Sequence, residues 1–250
     1  MDRAKFFASV RARASGIFGT SLSAAQVKGT EALLDEAQKR GVKTQELAYI
    51  LGGVYHETGG KMVPVREGFA STDAGARAAV AKLYSKGRIR RNYAMPVNGV
   101  SYYGRGRIQN THLENYQKLQ DRTGHPFVRN PDLLLDDKID AEVTIIGHLE
   151  GIWTGKKLSD YIANGKADYY GARRIVNGTD KAAQIAVYAK AFEKALRESA
   201  YVGQAPQPRP TIPEPAPASK DWGKPIAKPA PAKSGLAAFI SAILGIFKRK

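Results

Sequence analysis

No cysteine occurs in the 250 residues of the chain. That excludes a disulfide framework and any thiolate metal or redox site. Histidine is scarce too. His56, His112, His125 and His148 are scattered, and no two make the paired spacing of a zinc-hydrolase helix. Neither a metal nor a cofactor is expected. Long apolar runs are also missing. The opening residues, Met1-Asp2-Arg3-Ala4-Lys5-Phe6-Phe7, are interrupted by charge, so no secretory leader is expected there. No stretch approaches the roughly 18 apolar residues of a spanning helix. Synthesis in a cytoplasm is expected, and any action outside the membrane then needs some other route of exit.

Acidic residues are few relative to basic ones, 23 Asp/Glu against 39 Lys/Arg, for a formal charge of +16. That favours anionic partners: nucleic acid, anionic lipid, cell-wall polymer or lipopolysaccharide. A basic protein merely kept soluble by its charge has the same composition. No nucleic-acid recognition motif accompanies the charge, so no nucleic-acid partner is expected. A monomer is expected.

The prolines divide the chain. Nine of the thirteen lie between residues 206 and 231, among Ala, Lys and Gln. Such a segment forms an extended, semi-rigid spacer and no core. Three parts are therefore expected: a domain over 1–203, a Pro/Ala/Lys-rich linker over 204–233, and a short C-terminal element over 234–250. On a helix, Leu236, Phe239, Ile240, Ile243, Ile246 and Phe247 share one broad face. Residues 236–247 would reach about 18 Å, short of the roughly 30 Å hydrocarbon layer. The element is thus expected to lie in a membrane interface, with Lys248, Arg249 and Lys250 on anionic headgroups. A helix docked on the main domain, or paired with its own copy, is the plainer alternative. Residues 204–250 hold eight Lys/Arg and two Asp/Glu, which leaves +10 on the main domain.

Within residues 1–203 the pattern is mainly helical. Ser23-Ala24-Ala25-Gln26 is a capping box, followed by Val27, Leu33, Leu34 and Ala37 at helical spacing and a stop at Gly41. Thr44 is placed to cap a second helix, with Leu47, Ile50, Leu51 and Val54 as its buried stripe and Gly59-Gly60 at its end. Residues 114–120 and 139–149 read as helical. So does 182–196, with Ile185, Tyr188, Ala189, Phe192 and Leu196 on one face. Residues 71–106 are rich in Gly, Arg and Tyr without a helical period, so loops and a short hairpin are expected there.

Glu57 continues the apolar stripe of the second helix to the point where the chain turns at Gly59-Gly60. A carboxyl at an apolar rim loses hydration and gains proton affinity, as a general acid near neutral pH requires. Glu67, ten residues on, is a second carboxylate beyond the turn. Glycosidic hydrolysis needs such a pair, although a surface ion pair would show the same spacing.

Three ordered motifs then carry a resemblance. His56-Glu57-Thr58-Gly59-Gly60, Tyr102-Tyr103-Gly104-Arg105-Gly106-Arg107-Ile108-Gln109-Asn110-Thr111 and Ala172-Arg173-Arg174-Ile175-Val176-Asn177-Gly178 resemble those of the family 19 glycoside hydrolases, the chitinases and their phage endolysin relatives. Residues 6–37 and 154–161 are similar to the endolysin-like branch, and the resemblance spans roughly 3–197. It implies a lysozyme-like, two-lobed, mainly α fold with a small loop and β-hairpin region, and an inverting mechanism. By that resemblance Glu57 is the acid and Glu67 the base. His56, Tyr102, Gln109, Thr111 and Asn177 are substrate-binding or water-positioning side chains; for His56 buttressing of the acid or core packing is the plainer role, and Tyr102 could equally be a core aromatic. Arg105 is expected to tie down a loop. Arg173 and Arg174 are balanced between cleft wall and solvated helix start. Three features depart from plant members: the disulfides are missing, the longer glutamate spacing is missing, and an arginine near their acid–base pair aligns with Gln184. The implied substrate is the β-1,4-linked glycan of peptidoglycan, with chitin as the nearest alternative. An inactive fold that binds walls or membranes is the alternative from another class.

Overall fold

The structure is a computed structural model, and it describes residues 1–203. Seven α-helices form the frame: α1 (Arg3–Val10), α2 (Ala24–Lys39), α3 (Thr44–Glu57), α4 (Asp73–Ser85), α5 (Leu113–Thr123), α6 (Asp137–Glu150) and α7 (Ala182–Glu198). Two small antiparallel ribbons accompany them. One pairs β1 (Val65–Arg66) with β2 (Arg105–Gly106), and the other pairs β3 (Ile162–Ala163) with β4 (Lys166–Ala167). The mainly helical fold, with its few short strands, matches the expectation. The linker and the C-terminal amphipathic helix read from the sequence lie outside the described residues.

The stripes recognised in the sequence build the larger lobe. Leu33 and Leu34 of α2, Leu47, Ile50, Leu51 and Val54 of α3, and Ile185, Phe192 and Leu196 of α7 are all fully buried in one core with Phe6 and Val10 of α1. Each such side chain contributes about 1.5–3 kcal/mol by leaving water. The backbones of α3 and α7 nearly touch: a Cβ at Gly52 would lie 2.7 Å from the Ala189 nitrogen. Only glycine permits that approach. Because α3 is covered on nearly all sides, its last residues, His56 and Glu57, are carried into the interior.

The smaller lobe holds two further clusters. Tyr102, Tyr116, Leu119, Phe127, Leu134 and Val143 form one; Ala76, Val80, Ala94 and Tyr103 form the other. The lobes are tied by Arg107, which is fully buried. Its guanidinium donates to Met62 O, Gly29 O, Asp137 and Asp140, and its backbone N–H also meets Asp140.

Two local expectations are corrected. Residues 71–106 contain a full helix, α4. Its core stripe is only Ala76 and Val80, so alanine propensity rather than an apolar face builds it. The short hairpin does exist, as a bridge between Val97 and Val100 around Asn98 and Gly99. Secondly, Thr44 does not cap α3. Lys43 stands at the cap, its N–H donating to the Glu46 side chain at 2.9 Å. The Thr44 hydroxyl donates to Tyr201 O instead. The capping box of Ser23 and Gln26 forms as read.

Candidate active site

Glu57 closes α3. Thr58 next to it binds back to Val54 O and accepts from Met62 N, and Gly59 and Gly60 turn the chain away with φ of 57° and 81°. The Glu57 side chain is 3% exposed and meets Arg173, itself 1% exposed, with Nη1 2.5 Å from Oε1. Burial raises the proton affinity of Glu57 above that of an ordinary carboxyl; Arg173 opposes the shift without cancelling it. Arg173 stands on a short 3-10 turn, Gly171–Ile175, and its Nε donates to Asp180 O. One turn on, the Asn177 N–H donates to Arg173 O at 3.0 Å. The imidazole of His56 is pushed down to about 4, by burial first and by Arg173 second, and is therefore neutral at pH 7. His56 Nε2, Arg173 Nη2 and Asn177 Nδ2 are all buried without a hydrogen-bond partner. Buried polar atoms are ordinarily paired, and each of these belongs to a residue next to Glu57 in the chain or tied to it through Arg173.

Glu67 is held by the β1–β2 ribbon, in which Val65 pairs with Gly106 and Arg66 with Arg105. Its N–H donates to Gly104 O at 2.8 Å. In return Gly104 N–H donates to its Oε2 at 2.9 Å, and the Tyr93 hydroxyl donates to the same oxygen at 3.3 Å. Oε1 has no partner. Burial pushes the carboxyl up to about 8, opposed by those two donors and by Arg105. Gly104 is the hub of this group. A Cβ there would fall 2.7 Å from Glu67 Oε2, 2.8 Å from Gln109 Oε1 and 3.4 Å from Thr111 Oγ1. Three of the side chains expected at the site thus converge on one glycine. Gln109 is locked in place, with φ of 54° and its amide donating to Val65 O and Gly106 O. Thr111 donates to Gln109 O.

The two groups abut through the segment between them. A Cβ on Gly59, two residues after Glu57, would lie 3.4 Å from the ring of Phe69, two residues after Glu67. Tyr102 does not join either group. Its ring packs on Tyr116 and its hydroxyl donates to Val128 O, so the expected cleft tyrosine is a core side chain. Gln184 is exposed and bonds Tyr188. The cation beside the acid is Arg173, so the departure at Gln184 does not strip Glu57 of positive charge. Arg105 ties down its loop as expected, reaching Asp132 and the Ser101 carbonyl. Tyr93 went unnoticed in the sequence. It sits in an irregular stretch with no periodicity to mark it.

A sequence profile of the family described as chitinase class I matches residues 12–157. The chain belongs to the class I chitinase family. The matched region holds Glu57, Glu67, Gln109 and Thr111 and the first two of the three motifs; the third, residues 172–178, lies beyond it. Chitinase 11 of Oryza sativa subsp. japonica is 37% identical over 112 residues, which are 45% of this chain and 36% of that protein. The chain thus spans about a third of that relative. Chitinase C from Streptomyces griseus HUT6037 superposes with a TM-score of 0.49 at 20% identity, over 81% of this chain and 77% of that one. A bacterial family 19 chitinase superposes with a TM-score of 0.43 at 19% identity, over 81% and 96%.

Proposed function

We propose that the chain hydrolyses β-1,4 glycosidic bonds in the glycan strands of bacterial peptidoglycan, as a phage-type endolysin does. One observation carries the chemistry: two buried carboxyls, both with raised proton affinity, stand on abutting turns of a class I chitinase family member. Glu57 gives its proton to the leaving glycosidic oxygen. Water enters beside the unpartnered Oε1 of Glu67, loses a proton to that carboxylate and attacks the anomeric carbon from the opposite face, so the product is inverted. Water reaching Oε1 also rehydrates Glu67 and favours its ionised form. Arg173 keeps Glu57 in place, and Gln109 and Thr111 frame the water side.

The basic 204–250 segment is read as an arm that engages the bacterial membrane or lipopolysaccharide, with action at the cell wall or periplasm. Deleting it is expected to weaken killing of intact Gram-negative cells while sparing hydrolysis of purified wall. Chitin is the second reading, favoured by the chitinase name of the curated relative. Mass spectrometry of fragments released from purified peptidoglycan and from chitin oligomers, by wild type and by Glu57→Gln, decides both points. Wall fragments that vanish in the variant support the proposal. Fragments from chitin alone shift the substrate, and an unimpaired variant refutes the mechanism.

A further inference from the structure

Between Asp73 and Glu114 the chain has no acidic residue and eight Lys/Arg. Three of these, Arg77, Arg105 and Arg107, are paired with Asp73, Asp132, Asp137 and Asp140. The other five, Lys82, Lys86, Arg88, Arg90 and Arg91, are exposed, and none makes an ion pair among the described residues. Lys82 and Lys86 stand at the C-terminal end of α4, where cations offset the helix dipole. That explains two of the five. Arg88, Arg90 and Arg91 lie beyond the helix, where no dipole asks for them.

This stripe runs into the candidate site. Arg91 is two residues before Tyr93, whose hydroxyl meets Glu67. The Tyr93 ring packs edge-on against His112 at 5.3 Å, and Arg91 is close enough to His112 to disfavour its charged form. His112 in turn adjoins Thr111. Ile89 and Tyr93 anchor the stripe on the core cluster of Tyr103, leaving the intervening arginines facing water. The arginines between Ile89 and Tyr93 thus lie exposed and, among the described residues, without ion pairs, close in the chain to the side chain that meets Glu67.

We infer that residues 86–91 form an anion-binding wall that takes the stem-peptide carboxylates of peptidoglycan, so that the site favours an acid-bearing glycan over a neutral one. This rests on the peptidoglycan reading above. Guanidinium forks suit carboxylates, and exposed charges of this kind act mainly on capture and on its salt dependence.

The test uses the full chain and a Lys86→Gln/Arg88→Gln/Arg90→Gln variant, which touches exposed side chains only. Substrates are soluble peptidoglycan fragments with free stem carboxyls and the same fragments with those carboxyls amidated. Ionic strength is raised from about 0.01 M to about 0.15 M, which shortens the Debye length from about 30 Å to about 8 Å. At low salt the variant is expected to lose about tenfold in kcat/KM on the acidic fragments and to lose the salt sensitivity that wild type shows. Amidated fragments are expected to be cut equally by both proteins. Equal kcat/KM on the acidic fragments, or an equal loss on the amidated ones, overturns the wall while leaving peptidoglycan hydrolysis standing. A wild-type protein that cuts no peptidoglycan fragment overturns the underlying reading, and this inference with it.

Discussion

Replacing Glu67 by Gln is expected to remove that residue's pH dependence of stability, and so to reverse which of the two proteins is the more stable between acid and alkaline pH. Glu67 is 1% exposed, and its carboxyl is pushed from the ordinary 4.5 up to about 8. Below about pH 4.5 both folded and unfolded chains hold the proton, and the residue costs nothing. Between there and about pH 8 the unfolded chain releases it while the folded chain keeps it, so stability falls by about 1.4 kcal/mol per pH unit. Above about pH 8 the loss levels off near 5 kcal/mol. The amide of the Glu67→Gln variant would keep an oxygen for the N–H of Gly104 and the hydroxyl of Tyr93, but would set an NH2 where Oε1 has no partner. That costs about 1–3 kcal/mol at every pH. The variant should therefore be the less stable protein at about pH 4 and the more stable one at about pH 9, by about 2–4 kcal/mol, with a crossing near pH 6. Urea unfolding followed by tryptophan fluorescence at each pH measures the difference, and titrations shared by the two proteins cancel. Parallel stability curves across that range would refute the claim that Glu67 is held neutral by burial.

Tyr93→Phe removes one of the two donors to Glu67 Oε2, worth about 1 kcal/mol; the acidic limb of the pH–rate profile is expected to rise by a little under one pH unit with KM unchanged, and an unmoved limb tells against the bond. Gly104→Ala brings a methyl into Glu67 and Gln109 at 2.7 and 2.8 Å. Overpacking of this kind costs about 1–3 kcal/mol, and turnover should fall much further than the melting temperature suggests, as paired calorimetry and glycan assays would show. Arg173→Met leaves Glu57 buried without its cation, which should cost about 3–5 kcal/mol at neutral pH. It should also move the alkaline limb of activity upward, because the loss of Arg173 raises the proton affinity of Glu57 still further. Arg107→Met strands the buried Asp140, whose carboxyl is already pushed up to about 6 by burial. A loss of similar size is expected in denaturant titrations, largest at high pH where Asp140 must ionise.

These variants divide along the line that separates what was legible in the sequence from what was not. The helices of the larger lobe declare themselves because each buries a wide apolar stripe, as in Leu47, Ile50, Leu51 and Val54, and stripe width is a local property. Helix α4 escapes notice because two side chains suffice for its core contact, so its periodicity is lost among arginines and glycines. Likewise α3 begins one residue earlier than its pattern suggests: Lys43 holds the cap position with its N–H on the Glu46 side chain, and the Thr44 hydroxyl donates to Tyr201 O. Glu57 is legible because it precedes a glycine turn inside an ordered motif, and motif order survives in one dimension; Glu67 stands outside the three motifs and is reached only through its spacing and the resemblance. Their environments are different in kind. Arg173 reaches Glu57 across 116 residues, and Tyr93 reaches Glu67 from an irregular stretch; only the folded chain brings these donors to the carboxyls they restrain. Tyr102 shows the converse, since its place in a motif next to Tyr103 and Gly104 says nothing of which way its ring faces. Proton affinity at this site is thus a tertiary property: the sequence names the two acids, and packing decides how firmly each holds its proton.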